Sequence, residues 1–148
     1  MANKAKQRDF SRRLDNLSLL KASETRYAES PEYSQLETFG NVYADRDYIV
    51  TFDCQEFTAL CPVTGQPDFG IITIRYIPDK SCVESKSLKL YLYSFRNHNT
   101  FHEEAVNMIL DELVAKCSPR KAEVIGVFRP RGGIAIHVKA TFGGKIDE

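Results

Sequence analysis

The stretch Leu60-Cys61-Pro62-Val63-Thr64-Gly65-Gln66-Pro67-Asp68 places a thiol and a carboxyl group seven residues apart, on either side of a segment that cannot be helical. Pro62 and Pro67 fix their own φ angles and push Cys61 and Gln66 towards extended backbone, while Gly65 can take the positive φ that a reversal requires. The loop is therefore expected to fold back and bring the Cys61 sulfur near the Asp68 carboxyl. A nucleophile beside a proton-transfer group is the basic unit of covalent catalysis. The same residues also suit a tight turn around a buried thiol, since free cysteine is a common small core residue.

Outward from the loop the pattern is that of strands. Upstream, from Arg46 to Asp53, the side chains Tyr48, Val50 and Phe52 alternate with Asp47, Ile49 and Thr51. Downstream, Phe69 to Ile77 is rich in β-branched and aromatic residues and stops at Pro78-Asp79-Lys80. The loop thus joins two antiparallel strands at one end of a sheet. From Glu84 to Phe95 the period changes: Leu88, Tyr91, Leu92 and Phe95 share one helical face, and Asn97-His98-Asn99 ends the helix. Thr100 opens a second helix with Glu103 three residues on, a capping-box spacing, and Val106, Ile109, Leu110, Leu113 and Val114 form its apolar stripe up to Pro119. Alternating runs at Ala122 to Phe128 and Ile134 to Val138 close the chain across the turn Arg129-Pro130-Arg131-Gly132-Gly133. The order ββααββ implies an α+β fold: a four-stranded antiparallel sheet with both helices on one face.

The 148 residues, 43% hydrophobic, suffice for one compact domain, assigned to 46–148, with 1–45 as an arm and irregular lead-in. In the arm, Lys4, Lys6, Arg8, Arg12 and Arg13 surround Phe10, Leu14, Leu17 and Leu20 at near-helical spacing, which suits a short docking helix in a solvated basic segment. A formal charge of +0 provides no broad pull towards nucleic acid or anionic lipid, so a small molecule is the expected partner, without direct nucleic-acid binding. No apolar run approaches the ~20 residues that span a bilayer. Cys54, Cys61, Cys82 and Cys117 form no C-x-x-C pair and follow no secretory signal, which fits reduced thiols in a cytoplasm.

Three stretches together resemble the short, single-module form of the NADPH-dependent nitrile reductases that act on 7-cyano-7-deazaguanine in queuosine biosynthesis, a tRNA modification. They are Glu56-Phe57-Thr58-Ala59-Leu60-Cys61-Pro62 with Thr64-Gly65-Gln66-Pro67-Asp68-Phe69; Val83 with Glu84-Ser85-Lys86-Ser87-Leu88-Lys89-Leu90-Tyr91; and Ser94-Phe95-Arg96-Asn97-His98 with Phe101-His102-Glu103. The resemblance implies the tunnelling fold, whose unit has the same ββααββ order. It also implies that Cys61 attacks the nitrile carbon to give a covalent thioimide and that Asp68 carries the proton to the nitrile nitrogen, with two NADPH reducing thioimide through imine to primary amine. It assigns Val83, Glu84, Ser85, His102 and Glu103 to the deazapurine, with Glu103 accepting hydrogen bonds from its amide N–H and exocyclic amine.

Lys86 and Lys89 share a helical face near an N-terminus that itself favours anions, and the family associates this motif with NADPH. Arg129 and Arg131 beside Gly132-Gly133 are further candidates for the same cofactor. Structural alternatives stand beside these roles: Glu103 as the cap of the helix begun by Thr100, Ser85 as the cap of the preceding helix, His102 as a surface residue, and the lysines as a solvated face. Two edges of a four-stranded sheet need protection or a partner. The resemblance implies homo-oligomeric rings, stacked pentamers among the arrangements, with Cys61 and Asp68 from one subunit and part of the set around Glu103 or Val83 to Ser85 from its neighbour.

Two other classes compete. A zinc hydrolase like the cyclohydrolases of the same superfamily would draw on Cys61, His98 or His102 and another cysteine, but the chain has no His-x-x-x-His or Cys-x-x-Cys anchor, and Asp68 would have no role. A metal is therefore not expected. The third reading is a purine-binding tunnelling-fold protein without turnover.

Overall fold

The computed structural model describes residues 27–34 and 36–147. The helix expected between Phe10 and Leu20 lies outside them. Eight elements and two 3-10 turns follow: β1 (Thr38–Gly40), β2 (Val50–Leu60), β3 (Pro67–Ile77), β4 (Ser81–Val83), α1 (Ser85–Tyr93), α2 (His102–Cys117), β5 (Lys121–Phe128) and β6 (His137–Phe142). The antiparallel sheet has the order β2-β3-β5-β6, and β1 pairs with β4 in a separate two-stranded ribbon. The ββααββ order holds, with the β1-β4 ribbon added to it. In the lead-in, Leu36 is buried in the core and the Glu84 amide donates to the Glu37 carbonyl.

Both helices cover one face. α1 packs on β2, and α2 packs on β5 and β6. Ile72, Ile74 and Tyr76 of β3 are buried under Leu88, Tyr91 and Phe95 on one side and Val106, Ile109 and Leu113 on the other. The odd positions of β3, Phe69 and Ile71, face away and are exposed. This is the alternation expected of a sheet with one covered face.

The first long strand is displaced from its expected span. It begins at Val50 rather than Arg46 and runs past Asp53 to Leu60. The reason is a β-bulge. Cys54 pairs with Ile72 but Phe57 pairs with Gly70, so three steps on β2 oppose two on β3. The extra residue reverses which parity faces inward: Val50, Phe52 and Cys54 pack against the core before the bulge, Phe57 and Ala59 after it. The alternation therefore breaks at Gln55-Glu56 although the strand continues.

The last strand is likewise shifted, from the expected Ile134 to Val138 to His137–Phe142. Gly132 and Gly133 both have positive φ, 58° and 79°, and Arg131 and Ile134 close a tight bridge, so the chain needs several more residues before it lies alongside β5. The first helix stops at Tyr93 and tightens into a 3-10 turn at Ser94–Asn97, which keeps Phe95 fully buried. The second starts at His102, two residues after Thr100.

Candidate active site

The loop between β2 and β3 is a closed turn. The Cys61 amide donates to the Gln66 carbonyl and the Gly65 amide to the Cys61 carbonyl, each at 2.9 Å, with Gly65 at φ 68°. Ala59 opposes Asp68 across the hairpin, so Cys61 emerges just beyond the strand end and Asp68 lies at the start of the next strand. A second connection arrives at the same end: the Leu60 amide donates to the His98 carbonyl and the Thr100 amide to the Leu60 carbonyl, both at 3.0 Å. That pairing delivers the first turn of α2 to the hairpin.

The result is a cleft of about 320 Å³ lined by Cys61, Pro62, Asp68, Thr100, Phe101, His102, Glu103, Arg129, Arg131, Ile134 and Ile136, within the range of small-molecule sites. Asp68 is only 5% exposed. Its Oδ2 lies 3.4 Å from His102 Nε2 and its Oδ1 lies 3.2 Å from Arg131 Nη1. Both contacts are within ion-pair distance but lack hydrogen-bond geometry, leaving Asp68 Oδ1 and His102 Nε2 buried without a hydrogen-bond partner. Buried polar atoms are rarely left so in a folded protein unless something else completes them. In this cleft a polar ligand would.

The Cys61 thiol is pulled down to about 6. The largest cause is a hydrogen bond from the Thr64 hydroxyl, followed by bonds from the backbone at Thr64 and Val63 and from Arg131, against a smaller opposing effect of burial. Cys54 and Cys117 go the other way, each pushed up to about 11 chiefly by burial. The lowered value favours the thiolate of Cys61 near neutral pH, and the raised ones favour the protonated thiols of Cys54 and Cys117.

The expected site residues fall into two groups. Cys61, Asp68, His102, Glu103, Arg129 and Arg131 share the cleft. Ser85 and Lys89 instead line a groove of about 460 Å³ between β2 and α1, with Phe52, Leu88, Leu92 and Tyr93. Val83 is buried, and its amide N–H already donates to the Tyr76 hydroxyl at 2.9 Å. Glu84 is the cap of α1: its two carboxylate oxygens accept from the Lys86 and Ser87 amides, both at 2.7 Å. The cap is therefore Glu84 rather than Ser85, and the anion site that the helix end offers beside Lys86 and Lys89 is already filled by it. On α2 the capping contact comes from Glu104, whose Oε2 accepts from the Phe101 amide at 3.3 Å. Glu103 is one residue out of register for that task and presents an exposed side chain at the cleft.

Sequence reasoning assigned no role to Thr64, Gln66 or Phe128. Phe128 stacks flat on the His102 ring at 4.1 Å, with 29° between planes. Its signal was present as glycines inside strands, since a Cβ at Gly70 or Gly126 would meet the Phe128 ring at 2.8 or 2.7 Å. Arg131, expected at a cofactor, is engaged with the chain itself: Nη2 donates to Gln66 Oε1 at 2.5 Å and to Thr64 Oγ1 at 3.4 Å. Among the described residues no three His, Cys, Asp or Glu side chains are grouped to hold a metal ion, and no helix is long and apolar enough to cross a membrane.

The fold is of the α+β class, a four-stranded antiparallel sheet with two helices on one face, and a single cleft lined by Cys61 also holds the buried Asp68 carboxyl. The chain belongs to the QueF-like family: the family described as QueF-like protein matches residues 67–145. Among its relatives, an NADPH-dependent 7-cyano-7-deazaguanine reductase of Neisseria meningitidis serogroup C / serotype 2a is 56% identical over 130 residues, covering 88% of this chain and 83% of that protein. A protein of the same name from Streptococcus thermophilus strain LMD-9 is 54% identical over 130 residues, covering 88% and 80%. The crystal structure of the archaeosine synthase QueF-Like in the apo form shares the fold at a TM-score of 0.62 and 22% identity, over 66% of this chain and 96% of that one.

Proposed function

We propose that this chain is an NADPH-dependent reductase converting the nitrile of 7-cyano-7-deazaguanine to a primary amine, the queuosine-pathway activity implied by the resemblance. The observation that carries the reading is the meeting of an activated Cys61 with Asp68, His102 and Glu103 in one cleft. The names of the relatives supply the substrate and the reductant.

In this mechanism the Cys61 thiolate adds to the nitrile carbon and forms a carbon–sulfur bond, while the nitrile π electrons move to nitrogen, which takes a proton from Asp68. His102, at 3.4 Å from Asp68 Oδ2, is placed to return a proton to that carboxyl between steps. Glu103 accepts from the amide N–H and exocyclic amine of the deazapurine. Two NADPH, bound one after the other, would each supply one hydride, and the two hydrides with two protons balance the four-electron reduction, which no side chain can provide. The residues that fit the charge of NADPH are Lys86 and Lys89, of which Lys89 stands at the rim of a groove with an apolar floor, and Arg129, which lies over the Phe69 ring at 5.8 Å beside the cleft.

The cleft and the groove have no lining residue in common. We infer that subunits join edge to edge, so that the groove of one chain completes the cleft of its neighbour with Ser85 and Lys89. The four free thiols suit a reducing cytoplasm. The test of the function is NADPH absorbance over time with and without 7-cyano-7-deazaguanine. Consumption of two NADPH per nitrile is expected. Absence of nitrile-dependent consumption by the assembled protein overturns it.

A further inference from the structure

We propose that Arg131 is a positioning residue for the proton transfer: it holds the Asp68 carboxyl by Oδ1, so that the proton Asp68 carries rides on Oδ2, facing His102. The inference deepens the reading of Asp68 as the proton carrier and rests on it for its catalytic meaning.

The buried carboxyl lies between two groups of unlike chemistry. Arg131 Nη1 is 3.2 Å from Oδ1, and His102 Nε2 is 3.4 Å from Oδ2. A guanidinium keeps its protons at any working pH, so Arg131 can orient a carboxyl but cannot pass it a proton. An imidazole can do both. The oxygen that exchanges protons is therefore Oδ2, and Oδ1 is the one by which the group is held.

Arg131 is itself anchored. Its Nη2 donates to Gln66 Oε1 at 2.5 Å and to Thr64 Oγ1 at 3.4 Å, both on the turn between β2 and β3. Its backbone closes a two-residue turn with Ile134, N–H to carbonyl in both directions at 3.0 Å, around Gly132 and Gly133 at positive φ. One guanidinium thus ties the connection between β5 and β6 to the Cys61 turn and to the buried carboxyl, through a planar fork that reaches Gln66 and Asp68 at once. The neighbouring Arg129 lies elsewhere, over the Phe69 ring at 5.8 Å. On the far side of the pair, Phe128 stacks on His102 at 4.1 Å. Neither Asp68 Oδ1 nor His102 Nε2 has a hydrogen-bond partner, so a charge on one side and a ring on the other fix the two groups relative to each other.

The test uses the full chain. Arg131→Ala should lower kcat for nitrile reduction by on the order of tenfold to a hundredfold, since a misplacement of about 1 Å at a reacting group can cost that much. Its KM for NADPH should stay within about twofold, because no cofactor contact is lost. Guanidinium chloride, too dilute to unfold the protein, should restore part of kcat in Arg131→Ala, and urea at the same concentration should not. Arg131→Lys keeps the charge without the fork and should remain impaired, with no response to guanidinium. A second readout needs no turnover: the nitrogen NMR signal of His102 Nε2 in the free protein should move in Arg131→Ala and return with guanidinium. Unchanged kcat in Arg131→Ala overturns the inference, as does a loss confined to the KM for NADPH, a His102 signal indifferent to the substitution, or wild-type kcat in Arg131→Lys. Denaturant unfolding shows whether Arg131→Ala folds; where it does not, Arg131→Lys decides. Absence of nitrile reduction by wild type removes the proposed function, while the His102 signal still reports on the clamp.

Discussion

His102 Nε2 lies 3.4 Å from Asp68 Oδ2, and the orientation of that histidine is set by a ring behind it. Phe128 stacks on the imidazole and itself rests against Gly70 on the neighbouring strand and Gly126 on its own. The order Gly70, Phe128, His102, Asp68 is a mechanical line from a bare stretch of sheet to the buried Asp68 carboxyl.

That line can be pushed from its far end. Gly70→Ala would place a Cβ 2.8 Å from the Phe128 ring and 2.9 Å from the Val127 carbonyl. The overpacking should cost about 1–3 kcal/mol of stability. It should also lower kcat by tilting His102, although the substituted residue touches no substrate. Denaturant unfolding and kcat measured on the same variant check both; full activity in a destabilised Gly70→Ala would disconnect Phe128 from the proton path.

The reactivity of Cys61 should follow its lowered thiol. The thiolate is present above a midpoint near 6 and is lost as pH falls through it, whereas a thiol at the ordinary value of about 8.5 would still be gaining thiolate well above neutrality. The rate of covalent adduct formation with the nitrile should therefore be flat above pH 7 and fall about tenfold per unit below 6. Cys61→Ala should form no adduct. Intact mass spectrometry measures both, and an undiminished adduct in Cys61→Ala removes the cysteine from the mechanism.

Asp68→Asn should fold, keep Cys61 open to alkylation, and lose reduction by roughly the 10²–10⁴ that a positioned general acid contributes. An amide cannot give up the proton that the nitrile nitrogen needs. Near-normal turnover at neutral pH would show that the proton comes from elsewhere.

Most of this was legible in the sequence because it is local. The Cys61 to Asp68 turn carries its own instructions in Pro62, Gly65 and Pro67, and the helical face of Leu88, Tyr91, Leu92 and Phe95 is buried as its spacing requires. What escaped depended on contacts between distant segments or on an offset of one residue. The bulge at Gln55-Glu56 exchanges the inward parity of β2 and so hides the strand's second half. Glu104 rather than Glu103 reaches the Phe101 amide because the helix starts at His102 and not near Thr100. Arg131 meets Thr64 and Gln66 only when β5 and its following turn are folded against the first hairpin, which no local pattern reports.

Lys89→Ala should raise the KM for NADPH with little effect on the binding of the nitrile, and Lys86→Ala should act in the same direction. A charged contact of this kind is worth on the order of 1.5–3 kcal/mol, or about tenfold and upward in affinity. Because Glu84 occupies the amides at the start of α1, the effect should come from the ammonium groups and be strongly reduced at high salt. Steady-state kinetics in both substrates checks this; equal losses for both would indicate general damage to the fold.

The same placement leads to a test of assembly. Among the described residues β2 pairs with β3 and, at Leu60 alone, bridges to Asn99, and β6 pairs with β5, so these two are the outer strands of the sheet. Neither edge strand contains a proline, and both display backbone groups that another copy can pair with. The cleft holds Cys61, Asp68, His102 and Glu103 together, while Ser85 and Lys89 line a groove against β2. If joined edges bring one chain's groove to the next chain's cleft, Cys61→Ala and Lys89→Ala damage different halves of a shared site. Mixed in equal amounts under subunit exchange and assayed at NADPH well below the raised KM of Lys89→Ala, about a quarter of the interfaces should combine an intact cleft with an intact groove, and activity should rise above that of either variant alone towards that fraction. Cys61→Ala mixed with Glu103→Ala should recover none, since both substitutions fall in the same cleft of the same chain. Recovery in the second mixture instead of the first would place Glu103 across the interface from the cysteine it serves. A monomer by light scattering at working concentration would end the proposal of a shared site altogether.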